Sequence, residues 1–239
     1  MTLDDLVLIA GGVLEELSAE LTLKAHEAML VNDESQLAAC LQIALRSTSI
    51  MRGMVAVMRI ETTDSYDVLN RAAIEARDLL MYFRFDDSGT RKRIGYWFAG
   101  ARDSSWKADH ARVEKFLLDV GALDIGLARA WSGLSVIAHP TVYATNNSTA
   151  ITLHRLTGAP IGLDLHIKKA DDVVGVSRLA MAIVYNFPGW IALGVNDKDL
   201  PSLQEFWPYA ETVAGPIVNR PSPKPLPEHS YTAPKKKDA

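Results

Sequence analysis

The feature that most restricts what this chain can fold into is the spacing of apolar residues in its first sixty positions. Leu6, Val13, Leu14, Leu17, Leu21 and Ala25 fall at helical intervals, with Glu15, Glu16 and Glu20 set among them. A 3.6-residue period gathers such positions on one face of an α-helix, whereas a strand would need strict alternation. We therefore expect a helix from Leu3 to about Val31, opened by Thr2 and Asp5 as a capping-box-like start. Asn32-Asp33-Glu34-Ser35 breaks the pattern and can cap a second helix, whose apolar face comprises Leu37, Leu41, Ala44, Leu45, Met51, Met54, Val55 and Met58. Two long helices joined by so short a break predict an antiparallel hairpin.

The helical period continues. Thr62-Thr63-Asp64-Ser65 opens a third helix running to about Phe83, and Asp103 to Ser105 cap a fourth with Trp106, Val113, Leu117 and Val120 on its stripe and Gly121 at its end. Between them, Arg84 to Asp103 reads as a less regular surface excursion with a turn at Asp86-Asp87-Ser88-Gly89. Asp124 opens a fifth helix that must finish near His139, because Pro140 disfavours helical geometry at the residue before it. The period then drops to two: Ile151, Leu153, Ile161, Leu163, Leu165 and Ile167 alternate with polar residues around Thr157-Gly158-Ala159-Pro160. That pattern predicts a small β-hairpin near residues 150–168. Further helices are expected from about Asp171 and from Pro201 to Val213. From Pro216 onward, six of the eleven prolines and Lys235-Lys236-Lys237 occur with no apolar period, the composition of a disordered tail. The expected fold is mainly α: a single multi-helix bundle domain over 1–215 and a disordered Pro/Lys-rich tail over 216–239.

Charge and cysteine content narrow the function. Net charge is −4 over 239 residues, and the tail's five basic and two acidic residues leave −7 on the body. No global basic field is available to capture nucleic acid, so any polyanion site must be local. The lone cysteine, Cys40, forms neither an internal disulfide nor a cysteine zinc cluster and suits a reducing compartment. The acidic start, with Asp4 and Asp5, lacks the basic character of a secretory signal, so a cytoplasmic location is expected. Leu179 to Val195 approaches the length of a membrane span, but Asn186 and the Phe187-Pro188-Gly189 break interrupt it. We read a buried helix ending near Asn186 and no membrane partner.

Two groups of residues could carry chemistry. On the third helix Arg71, Glu75, Asp78 and Tyr82 form one polar stripe, beside a core stripe of Leu69, Ala72, Ala76, Leu79 and Phe83. A cation, two carboxylates and a phenol next to an apolar face can bind an anion or move a proton, and Arg and Glu at i,i+4 also suit an exposed, salt-bridged surface. On the fifth helix Ser135 precedes His139 by one turn, and the last-turn position of His139 favours its protonated ring. His110 sits on an apolar stripe, as a hydrogen-bonded core histidine does. His154, Asp164 and His166 lie on the polar face of the hairpin, and no metal-ligand spacing supports a metal or cofactor there. Arg91-Lys92-Arg93 before Tyr96-Trp97-Phe98 offers charge beside stacking surfaces, or a basic loop beside a buried aromatic anchor.

Arg71-Ala-Ala-Ile-Glu75 through Tyr82-Phe83, followed by Ser135-Val-Ile-Ala-His139-Pro140, resembles the paired R-x-x-x-E and S-x-x-x-H-P motifs of an uncharacterised bacterial helical domain family. The resemblance spans about a third of the chain, roughly Thr62 to Thr141. It implies a bundle in which Arg71, Glu75, Ser135 and His139 approach one another. A remoter resemblance is to HEPN domains, helical bundles that often act as metal-independent ribonucleases; here Arg129 stands ten residues before His139, farther than in the HEPN motif. Two functions are thus expected to compete. One is a polar intra-bundle site for a phosphate-bearing small molecule or RNA, with His139 as acid or base, Arg71 on phosphate charge and Glu75 orienting Arg71. The other is a non-catalytic interaction or scaffold protein that meets a protein partner or a second copy of itself.

Overall fold

The computed structural model describes residues 3–31, 35–59, 63–85, 88–98, 106–121 and, with gaps at 181, 185, 188 and 192, 179–214. Its helices are α1 (Leu3–Val31), α2 (Gln36–Arg59), α3 (Thr63–Phe83), α4 (Ser88–Phe98), α5 (Trp106–Asp119) and α6 (Pro201–Ala214). The described residues of 179–191 are also helical, and a single 3-10 turn, Asp197–Asp199, leads into α6. Among the described residues there is no strand. The hairpin expected near 150–168, the fifth helix of the sequence reading and the 216–239 tail all lie outside the described residues. No described helix is long and apolar enough to cross a membrane.

Helix ends follow local chemistry. Ser35 Oγ accepts the Ala38 N–H at 2.9 Å, satisfying one of the amides that the first turn of α2 leaves without an intrahelical acceptor. Gly121, at φ 70°, takes the left-handed conformation that stops α5, and a Cβ there would strain the backbone. Pro201 opens α6, where a missing N–H removes no intrahelical bond.

Packing places α2 at the centre. Glu15 of α1 meets Arg52 of α2 at 2.7 Å, and the Gln36 side-chain amide donates to the Phe83 carbonyl at the far end of α3. Both pairings are what antiparallel neighbours require. The Trp97 indole of α4 donates to Gln42 Oε1 at 3.1 Å, and its ring meets Phe83 edge-on with centroids 6.1 Å apart. The 179–191 segment lies against α2 through Asn186 and against α3 at Gly189, where an added Cβ would stand 2.7 Å from Leu80 Cδ2. One apolar cluster joins Leu14, Leu17 and Leu21 of α1, Met51 and Met54 of α2, Leu80 and Phe83 of α3, Ile94 of α4, Trp190, and Phe206 of α6. Fully burying a large apolar side chain contributes about 1.5–3 kcal/mol, so this cluster is the main source of cohesion.

Four expectations need correction. The region after Arg84 is not merely an excursion: Ser88–Phe98 is helical, with Thr90 and Ile94 one turn apart on its buried face and Arg91 and Lys92 outside. Turn-forming residues at its start and its dense charge hid a short amphipathic helix. Leu37 is exposed although Gln36 and Ala38 on either side are buried, so it lies on the outward side of the first turn of α2. Helical residues continue past Asn186 to 189–191, where Trp190 gains complete burial. Finally, α3 turns Asp78 and Tyr82 inward together with Ala73, Leu80 and Phe83, so the polar stripe is buried at its C-terminal end.

Candidate functional site

The charged residues of α3 divide at the middle of the helix. Arg71 Nε donates to Glu75 Oε1 at 3.0 Å, and this i,i+4 pair keeps substantial exposure. One turn on, Asp78 is 1% exposed and Arg77 is 3% exposed. Both Nε and Nη2 of Arg77 donate to Asp78 Oδ1, the Nε contact at 2.8 Å. A charge buried this far is tolerable only when paired, because an isolated one would forfeit several kcal/mol of hydration.

Helix α5 brings a histidine to the same place. His110 Nε2 lies 3.4 Å from Asp78 Oδ2 and 3.7 Å from Oε2 of Glu114, one turn along α5. Burial pushes the Asp78 carboxyl above its ordinary value, while Arg77 and then His110 pull it back down. Burial pushes the His110 imidazole below its ordinary value, against the pull of Asp78 and Glu75. Burial also raises the Glu114 carboxyl, as does the nearby charge of Asp78. All three shifts favour the uncharged form, the sign expected for groups crowded into one poorly solvated interface.

Aromatic contacts close the cluster on its inner side. Tyr82 meets Phe116 of α5 edge-on at 5.1 Å, and the Arg93 guanidinium of α4 stands 5.5 Å from the Tyr82 ring centroid. Arg93 is thereby drawn away from the basic patch that the sequence outlined, and Trp97 turns inward with it. On the outside, Lys92 over Tyr96 at 5.7 Å remains.

Of the residues predicted to form the site, Arg71 and Glu75 are together on α3, whereas Ser135 and His139 lie outside the described residues. His154, Asp164 and His166 lie outside them as well. Among the described residues no group of three or more His, Cys, Asp or Glu side chains could hold a metal ion. Arg77 is not among the residues the sequence pointed to, and His110, expected as a hydrogen-bonded core histidine with no partner named, meets Asp78 and Glu114. Glu114 four residues after His110 was the available signal, since it marks that face of α5 as polar at its edge.

Two further polar contacts join distant parts of the chain. Ser47 Oγ donates to Asn186 Oδ1 at 2.8 Å, and Asn186 Nδ2 donates to the Ala182 carbonyl at 2.8 Å. Glu16 of α1 accepts from the Ser202 N–H at 3.1 Å and from its hydroxyl at 2.6 Å. Here a carboxylate from one helix meets the positive N-terminal end of another, a favourable arrangement for the helix dipole. On α2, the Cys40 thiol is fully buried and pushed up to about 12, chiefly by burial, which leaves it protonated and unreactive.

No protein-family model, no curated protein and no solved structure matches this chain.

Proposed function

We propose that this chain is a non-catalytic helical interaction protein in which the α3–α5 polar cluster is a structural lock. The observation that carries this reading is the internal pairing of the cluster: Arg77 binds Asp78 away from solvent and Arg71 binds Glu75 along the same helix. Each of these two guanidiniums is already engaged by a carboxylate of its own helix, which leaves neither committed to a phosphate. In this reading the partner meets α1, which among the described residues exposes Leu8 and Leu23 along with Glu27. A protein partner or a second copy of the chain would meet it with apolar contacts ringed by basic groups.

A second reading keeps a phosphate-bearing ligand or RNA as substrate. It is supported by the Arg71–Glu75 pair, which stands at the accessible end of the stripe and holds the guanidinium in place. In that reading Ser135 hydrogen-bonds His139, His139 moves the proton without a metal, Arg71 stabilises phosphate charge and Glu75 orients Arg71. Incubating the full chain with single-stranded RNA, with and without a chelator, separates the two. The lock predicts intact RNA in both arms. Cleavage that survives the chelator and is lost in His139→Ala would establish the ribonuclease instead.

A further inference from the structure

We infer that the partner of α1 is a second copy of this chain, which lays its α4 antiparallel on the exposed C-terminal half of α1; this rests on the reading of α1 as the surface a partner meets. Charge is divided unequally between the two helices. Helix α1 carries six carboxylates against the single cation Lys24. Helix α4 carries Arg91, Lys92 and Arg93 and no carboxylate at all. Three of the α1 acids are answered within the chain, where Glu15 meets Arg52, Glu16 meets Ser202 and Glu20 meets Lys24. Arg93 likewise turns to the Tyr82 ring, while Arg91 and Lys92 stay outside.

The exposed residues match in spacing. Leu23 is 58% exposed, and Glu27, one turn on, is exposed as well. On α4 the order is reversed: exposed Lys92 comes first, and Tyr96, 48% exposed, follows one turn later. Both are i,i+4 pairs, so their members stand about 6 Å apart along one face of each helix. Laid antiparallel, Tyr96 of one copy falls on Leu23 of the other as Lys92 falls on Glu27. Ala19, exposed one turn before Leu23, leaves room for the ring. The Lys92 ammonium already lies 5.7 Å from the Tyr96 ring centroid, so cation and ring are presented together.

Helix dipoles favour the same alignment, more weakly. A carboxylate near the C-terminal end of a helix, or a cation in the N-terminal half, opposes the dipole of its own helix. Helix α1 has no basic residue in its last turn, and α4 has no acidic residue in its first. Antiparallel pairing sets the cations of α4 beside the C-terminal end of α1, which relieves both. A second copy fits these groups better than a nucleic acid does. The residues ahead of the basic tail carry a net −7 and repel a polyanion, whereas a helix face supplies one carboxylate and one apolar side chain at the spacing required. One helix face on another buries little area, so the association is weak and salt-sensitive.

Sedimentation equilibrium of the full chain at high micromolar concentration and low salt tests this. The wild type self-associates, and added salt weakens the association. Glu27→Lys alone and Lys92→Glu alone each weaken it by about tenfold or more, with helix content by circular dichroism unchanged. An equimolar mixture of the two variants recovers it, because every α1–α4 contact between unlike copies again pairs opposite charges. A mixture that fails to recover overturns the inference. So does a wild type that stays monomeric, which leaves α1 to a different protein. Loss in Glu27→Lys without loss in Lys92→Glu also overturns it, and keeps α1 as the partner surface. Self-association untouched by both Glu27→Lys and Leu23→Ser overturns that reading of α1 as well.

Discussion

Two of the places where the described bundle buries polar groups handle them in opposite ways. Between α2 and the 179–191 segment the groups are neutral: Ser47 donates to Asn186 across 139 residues of chain, and Asn186 spends its own donor on Ala182. Between α3 and α5 the groups are charged, and their strongest bond joins neighbours in sequence. Burial is similar in the two, but at the neutral site a 2.8 Å bond ties separate elements together. In the charged cluster the Arg77–Asp78 bond stays within α3, and the His110 contact from α5 is longer, at 3.4 Å. A neutral tie holds equally well across the pH scale, while a charged one couples tertiary structure to protons.

This contrast can be broken at several points. The largest effect is expected from Asp78→Ala, which strands the Arg77 charge in the interior; a loss of about 3–5 kcal/mol in denaturant unfolding is predicted. A loss below about 1 kcal/mol would mean that Arg77 swings out to water, and that the cluster is a surface feature. Ser47→Ala should cost about 1–3 kcal/mol by leaving Asn186 Oδ1 without its donor. Its distinguishing mark is constancy: the loss should be the same at pH 5.5 and 7.5, and a pH-dependent loss would erase the distinction between the two regions. Glu16→Gln keeps an acceptor for Ser202 but removes the charge from the N-terminus of α6, for an expected loss of about 0.5–1 kcal/mol that shrinks in high salt. Smallest is Arg71→Lys, whose half-exposed pair with Glu75 predicts a change of about 0–1 kcal/mol. Were that variant instead to abolish binding of an RNA or phosphate probe with stability intact, the second functional reading would gain at the expense of the first.

The two regions also differ in how far sequence revealed them. The long helices were legible because their apolar residues repeat at 3.6 over many turns, and the ends of α2 and α5 because Ser35 and Gly121 have local conformational reasons to be there. Asn186 stood out as a polar residue in an apolar run, although nothing local named Ser47 as its partner. The α3 stripe gave correct spacing and an incorrect environment. Periodicity places Asp78 and Tyr82 on one line with Arg71 and Glu75, yet the helix is covered by α5 only along part of that line. Which part of a stripe is covered depends on another helix, and that information is absent from the stripe. Arg77 was invisible for the same reason, since an arginine earns its place in an interior only through a partner already there.

The contact between Glu16 and Ser202 sets an order on synthesis. The two residues are 186 positions apart, and the close approach at Gly12, where a Cβ would stand 2.7 Å from Ser202 Oγ, shows how tightly α6 seats on α1. At about 5–20 residues per second, a ribosome needs roughly ten to forty seconds to travel from one to the other. Through that interval α1 can lean on α2 while the strip around Gly12 and Glu16 waits for Ser202. A chain halted before α6 would carry an uncovered apolar seam along its first helix, making it a natural client for chaperones and the species most prone to self-association.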